Sequence, residues 1–411
     1  MSQPCYRSSR LCAMDTAAAS DLELLKQSLT AGTGDVLPPG APNTSSRFAP
    51  EHWRWQLRDD SYYAELCTFL CFCDDGSFVL ANVAVISLGW AKKHQVNIVF
   101  KHTRDAAGAS CADDCNTWTE EYGGSDLVVL RSGQGLQIGP HRVECLDESM
   151  LLYELELSFV KGDYHGLGGC EVRMRHTAPD LGFVPGTQEG ATGWTYGGGE
   201  ALFMGFAAPR TAVEGTVAYG GEEMPLEGRG FVSKNLTNLR ADMQSTTAYH
   251  CKLVSDTTTL HLIQMLPPGH QTKGNRALVM GSIVHEGKLL LAALDGDSHA
   301  FSEDCGELDL ETGYVPPTAL GFRWAGKTLE ETPREVLCEI RIETGARPMI
   351  RLDVLEHLPW LFRRVVQALF AKPFLYLYYQ PAVEAVISIG DEKVRTTGVV
   401  LFEKHFVNPL T

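Results

Sequence analysis

The chain has no run approaching the roughly eighteen consecutive apolar residues of a membrane-spanning helix, so no helical span is expected. It is short of positive charge: 35 Lys and Arg stand against 51 Asp and Glu, a formal net charge of −16. Nucleic-acid binding rests on Lys and Arg neutralising phosphates, so a polyanion partner is excluded. The same balance disfavours general adhesion to anionic membrane and leaves room only for a local anchor. Arg7 and Arg10 precede no apolar h-region, so a secretory signal is not expected. The 12 Cys then read as reduced, buried small hydrophobes.

Catalytic signatures are missing as well. The sequence has no G-x-S-x-G elbow, Walker loop, H-E-x-x-H or G-x-G-x-x-G, and Gly133, Gly135 and Gly139 are wrongly spaced for the last. Cys111 and Cys115 lack a second pair at zinc-finger spacing, so no metal site is assigned. His165 and His176 lie near Gly-rich segments and read as solvated histidines. Asp113/Asp114 and Glu222/Glu223 sit in polar surroundings that give no reason for a raised carboxyl pKa. No catalytic set and no cofactor site emerge.

What is present is β-structure. After a Ser-, Ala-, Gly- and Pro-rich tail (1–48), short alternating segments follow one another from Trp53 to the end. Asp75-Gly76 and Glu286-Gly287 mark hairpin turns. Cys67, Phe69, Cys71 and Cys73 share one strand face, as core lining does. The stretch 221–230 reads as a crossing point, dividing the body into 49–225 and 226–411. Segments 64–73 and 374–379 are apolar on both faces. They therefore either line a cavity while packing outward or form a solid core.

Two helices are expected. Ser20-Asp21-Leu22-Glu23 has the form of a capping box, with Leu22, Leu25 and Leu29 on one face as a short membrane-contacting helix over 20–30. Pro359 opens the second. Leu361, Phe362, Val365, Val366, Leu369 and Phe370 recur at helical spacing until Pro373 ends it.

Several segments carry a resemblance. DLETGYVPPTALGFRWAG (309–326), RPMIRLDVLEHLPWLFRRVV (347–366), KPFLYLYYQP (372–381) and GVVLFEKHFV (398–407) resemble the oxidative-stress survival-factor family, tandem lipocalin-like proteins that include a yeast ceramide carrier. The likeness spans about 49–411 and is densest after 305. Within 228–250, where the family has a Gly-x-Gly followed by His-, Pro- and Trp-bearing segments, only Gly228 and Gly230 match clearly. The resemblance implies an all-β chain of two tandem lipocalin-like antiparallel barrels, with an amphipathic helix in the C-terminal half. It implies a non-enzymatic carrier of a ceramide- or sphingolipid-like lipid, linked to survival of oxidative stress. Such a carrier would be cytoplasmic and peripheral on ER or Golgi membranes. Trp90, Trp194, Tyr249, Trp324, Tyr376 and Tyr378 are the expected ligand-binding aromatics. Two alternatives stand beside it: a lipocalin-like hydratase or pericyclase acting on a polyene or isoprenoid, and a protein-binding scaffold with filled barrels.

Overall fold

The computed structural model describes residues 45–58, 62–87, 92–102, 115–162, 168–185, 194–195, 201–238, 245–266, 278–294, 299–330, 332–345, 348–355 and 372–407. The first sheet contains β1 (Ser45–Arg47), β2 (Tyr63–Cys73), β3 (Phe78–Ser87), β4 (Lys92–Lys101), β5 (Cys115–Gly123), β6 (Leu127–Leu130) and β7 (Gly135–Ile138). It continues with β8 (His141–Cys145), β9 (Leu152–Phe159), β10 (Cys170–Thr177), β11 (Phe183–Pro185), β12 (Trp194–Thr195), β13 (Ala201–Tyr219) and β14 (Glu222–Thr237). The second contains β15 (Thr247–Val254), β16 (Thr258–Leu266), β17 (Leu278–His285), β18 (Lys288–Leu294) and β19 (His299–Cys305). Its later strands are β20 (Pro317–Lys327), β21 (Glu335–Glu343), β22 (Ile350–Asp353), β23 (Phe374–Ile389) and β24 (Glu392–Phe406). Every pairing is antiparallel. The last strand of each sheet returns to the first long one, β14 to β2 and β24 to β15, which curls each sheet into a nearly closed barrel.

Side-chain alternation drives this. β10 reads Cys-Glu-Val-Arg-Met-Arg-His-Thr and is alternately buried and exposed along its length, as a strand with one wet face must be. β16 breaks the alternation and is buried throughout. The reason is position: its inner residues Leu260 and Leu262 join the second barrel's core, while Ile263 and Met265 face the first barrel.

The same division explains the segments that are apolar on both faces. In β2, Cys67, Phe69 and Cys71 point into the first barrel, and Leu70 and Phe72 point out. In β23, Tyr376 and Tyr378 point into the second barrel, and Leu377 and Tyr379 point out. The outward residues meet between the barrels. Phe78 stacks on Tyr379 at 5.3 Å, and the Tyr379 hydroxyl donates to the Gly76 carbonyl at 2.7 Å. Arg210 reaches across to the Thr259 hydroxyl at 2.9 Å and the Ser255 carbonyl at 3.1 Å. Each large apolar side chain buried in that seam contributes roughly 1.5–3 kcal/mol.

Some expectations need correcting. The stretch 221–230 is no crossing point: Gly220-Gly221 turn a hairpin, and 222–237 continues as β14. Gly228 and Gly230, within that stretch, lie against the Phe72 and Leu70 carbonyls of β2, where a Cβ has no room. The chain changes sheet after Thr237 instead. The last residues of the tail are also structured, since β1 pairs with β11 and Phe48 is buried. His176 is not a solvated loop residue; it sits on β10 with its ring inside the first barrel. The helix expected over 359–370, the tail helix with Leu22, Leu25 and Leu29, Trp90, His165 and Cys111 lie outside the described residues.

Candidate functional site

Four of the six expected aromatics converge. Tyr249 on β15, Trp324 on β20, and Tyr376 and Tyr378 on β23 all belong to the buried cluster inside the second barrel. Phe402 is the ring between them: Tyr378 stacks on it at 5.5 Å and Tyr249 at 6.5 Å. Trp324 extends across the interior towards β17, where a Cβ on Gly281 would lie 2.9 Å from its ring. Trp194 lies on β12, which pairs through its backbone with β13 of the first sheet.

Two buried polar atoms of that largely aromatic interior, Trp324 Nε1 and the Tyr378 hydroxyl, have no hydrogen-bond partner among the described residues. A buried donor without an acceptor costs about 1–3 kcal/mol, so a native fold that keeps two of them in one wall invites an external acceptor. Burial pushes the Tyr378 hydroxyl well above the ordinary tyrosine range, which keeps it a neutral donor.

Tyr376 differs. Its hydroxyl donates to Asp309 Oδ2 at 2.6 Å and pairs with the Thr312 hydroxyl at 2.6 Å. Asp309 also accepts from Arg351 Nη1 at 2.9 Å, and Arg351 pairs with Glu311. Gly313, at φ +80°, turns the loop so that its N–H reaches the Asp309 carbonyl at 2.7 Å. Tyr314 then stacks on Phe406 at 4.4 Å and donates to the Lys372 carbonyl at 2.6 Å. Lys372 returns a bond to the Thr312 carbonyl at 2.9 Å. The segment 309–314 is thus a latch tied to β22, β23 and β24. Burial opposes ionisation of Asp309, but the bonds from Tyr376 and Arg351 outweigh it and hold the carboxyl at about 2.

A wall of the second barrel parts nearby. β21 follows β23 only from Val336 to Ile340, whereas β22 takes up β23 at Phe374–Leu377. Between those pairings lies a cleft of about 600 Å³. Phe322, Ile340 and Val383 of the inner cluster line it together with Arg323, Arg341 and Glu384.

The first barrel is filled differently. Lys234 on β14 and Glu65 on β2 pair at 2.8 Å with both side chains buried. The Tyr63 hydroxyl donates to Glu65 at 2.5 Å, and the Lys234 ammonium lies 4.3 Å from the Trp55 ring centroid. Trp53 enters between Phe69 and Tyr153, with its Nε1 donating to the Gln134 carbonyl at 2.8 Å. Residues 48–55 therefore stopper this barrel from within.

The sequence profile of the Svf1 family matches residues 41–408. The chain belongs to the Svf1 family. Two curated relatives are Ceramide-binding protein svf1 of Schizosaccharomyces pombe, 26% identical over 202 residues, and Ceramide-binding protein svf-1 of Neurospora crassa, 23% identical over 203. Each alignment covers 49% of this chain and 51% of the relative, so the chain spans about half the length of the curated relatives it matches. Among solved structures, CghA with Sch210972 superposes at a TM-score of 0.55 with 8% identity, covering 84% of this chain and 89% of that one. A crystal structure assigned to AttH from Nitrosomonas europaea superposes at 0.54 with 11% identity, covering 90% and 99%. At such identities these likenesses carry the lipocalin-like fold alone.

The Svf1-family motifs now have physical roles. Asp309, Thr312, Gly313 and Arg351 make the latch, and Tyr376 anchors it. Sequence reasoning missed the inward lysines, Lys234 and Lys404. Lys404 is buried on β24, with its ammonium 4.5 Å from the Phe406 ring centroid and 5.3 Å from that of Tyr249. The signal was available: in 398–406 it falls at the inward period-two position with Val400, Phe402 and Phe406.

Proposed function

We propose that this chain binds and carries a ceramide-like amphiphile, with the second barrel as its acceptor. The observation that carries this reading is the pair of buried donors without a partner among the described residues, Trp324 Nε1 and the Tyr378 hydroxyl, in an aromatic wall beside the inward Lys404 ammonium. An amide or hydroxyl headgroup supplies the acceptors they need, and acyl carbons suit the surrounding Leu, Val and Phe surface. The names of the two curated relatives support the same class of ligand. The first barrel is the weaker acceptor, because Trp53 and Trp55 occupy its interior. The cleft between β21 and β23 offers an entry route, since Phe322, Ile340 and Val383 of the inner cluster are among the residues that line it.

The deciding experiment is native mass spectrometry after incubation with mixed lipids. Retention of one sphingolipid per chain is expected. Failure to retain any sphingolipid or fatty-acyl ligand overturns carriage and returns the chain to the scaffold reading. The proposal extends to a role in survival of oxidative stress and to a cytoplasmic chain that touches membranes through 20–30. Deleting residues 1–35 is expected to reduce vesicle flotation, and unchanged flotation moves the contact elsewhere.

The Lys234–Glu65 pair favours a second reading, a hydratase or pericyclase, because it places a cation, a carboxylate and the Tyr63 hydroxyl together inside a barrel. Incubation of the full chain with polyene and isoprenoid substrates tests it, product formation being the required result.

A further inference from the structure

The outer face of the second barrel, where it meets the first, carries a group of residues that neither lipid binding nor packing uses. His250 on β15 lies directly across from Glu403 on β24, and His405 follows two residues further on the same face. Glu403 Oε1 accepts from the buried Lys252 ammonium. Glu403 Oε2 faces the other way, 3.1 Å from His405 Nε2 and 3.7 Å from His250 Nδ1. All three prospective ligand atoms lie within 4.8 Å of one another, and the two imidazole centroids are 4.5 Å apart.

A hydrogen-bonded network accounts for Lys252 and His405 but not for His250. Its Nδ1 aims at an oxygen beyond hydrogen-bond reach, and its ring has no other hydrogen bond among the described residues. We propose that His250, Glu403 and His405 form a binding site for one divalent transition-metal ion of the zinc class, set in the seam between the barrels. Two imidazoles with one carboxylate form a recurrent ligand set for such ions. With metal–ligand bonds of about 2.0–2.1 Å, tetrahedral ligand atoms stand roughly 3.3 Å apart. The observed separations therefore need only small rotamer adjustments on two hydrogen-bonded strands. Lys252 holds the far carboxylate oxygen and fixes its orientation, as outer partners of metal ligands do. Burial keeps His250 neutral, the form that coordinates. Three protein ligands leave at least one position for water or another oxygen donor.

The test uses the full chain, stripped with a chelator, dialysed and titrated with Zn²⁺ by calorimetry and with Co²⁺ by absorption. The expected result is one ion per chain, a Co²⁺ spectrum without thiolate charge transfer, and a melting temperature that rises with metal. His250→Ala and His405→Ala should each weaken binding by at least tenfold, while their metal-free melts stay near that of the metal-free wild type. His405 is 28% exposed, so its variant carries the test if His250→Ala fails to fold. Absence of binding, a thiolate spectrum, or an affinity unchanged in His405→Ala overturns the proposal.

Discussion

Lys234 and Lys404 stand at the same register position of the two barrels. Each lies twelve residues after the first paired residue of its closing hairpin, Glu222 opposite Tyr219 and Glu392 opposite Ile389. Each points inward from the strand that returns to the start of its sheet, opposite Cys67 in one case and Tyr249 in the other. The surroundings then diverge. Lys234 meets the Glu65 carboxylate, whereas the same register places Thr247 at that position in the second barrel. There the Lys404 ammonium lies over the Tyr249 and Phe406 rings. One closing strand thus serves two interiors, an ion-paired one stoppered by tryptophans and an aromatic one.

Lys234→Met should expose that difference. Removing one partner of a buried pair leaves an uncompensated charge and costs about 3–5 kcal/mol. The double variant Lys234→Met with Glu65→Gln should recover much of that loss. Urea melts of the three proteins check it, and additive losses would mean that the pair is not coupled.

Tyr378→Phe separates binding from stability. The hydroxyl has no partner among the described residues, so its removal should leave stability unchanged or raise it by about 1 kcal/mol. Lipid retention should nevertheless fall about tenfold, the equivalent of one lost hydrogen bond of about 1.4 kcal/mol. Melts and native mass spectra of the same preparations read both effects. Lower stability with undiminished retention would make Tyr378 plain core.

Asp309→Asn should loosen the latch. The substitution weakens bonds to Tyr376 and Arg351, with an expected loss of about 2 kcal/mol. Because the folded carboxyl is held at about 2, below its unfolded value, its contribution is complete above that unfolded value and fades as pH falls towards about 2. The gap between wild type and Asp309→Asn should therefore narrow in acid, as measured by melts at neutral pH and near pH 3.

The two-barrel reading was legible because it rests on local signals. Asp75-Gly76 and Glu286-Gly287 turn hairpins, with Gly76 at φ +86° and Gly287 at φ +76°, and Cys67, Phe69 and Cys71 face inward as their spacing requires. The joint between the sheets was hidden because Gly228 and Gly230 answer to a neighbouring strand, which a single strand's sequence does not reveal. Tyr376 illustrates the same limit. Its size and position marked it as a cavity aromatic, but its hydroxyl belongs to the latch through Asp309, 67 residues earlier. Lys234 and Glu65 were passed over because charge normally signals an outward face; only pairing across β2 and β14 makes both tolerable inside.

His176 gives the pH dependence its sign. The ring is fully buried, bonded to the Thr211 hydroxyl at 3.0 Å, and burial holds its pKa down at about 3. The unfolded chain takes up a proton near the ordinary value of about 6.5, so between those limits the unfolded state binds more protons. Stability is therefore complete above about 6.5 and falls as pH drops towards 3, by up to about 1.4 kcal/mol per pH unit from this group. His250 and His261 are shifted downward by burial as well and add to the same trend. His176→Gln keeps a hydrogen-bonding side chain without the titration. Its deficit relative to wild type should be greatest near pH 7.5 and shrink by pH 4.5, read from urea melts in matched buffers. A deficit that stays constant across that range would mean that His176 titrates alike in the folded and unfolded chain, contrary to its wholly buried setting.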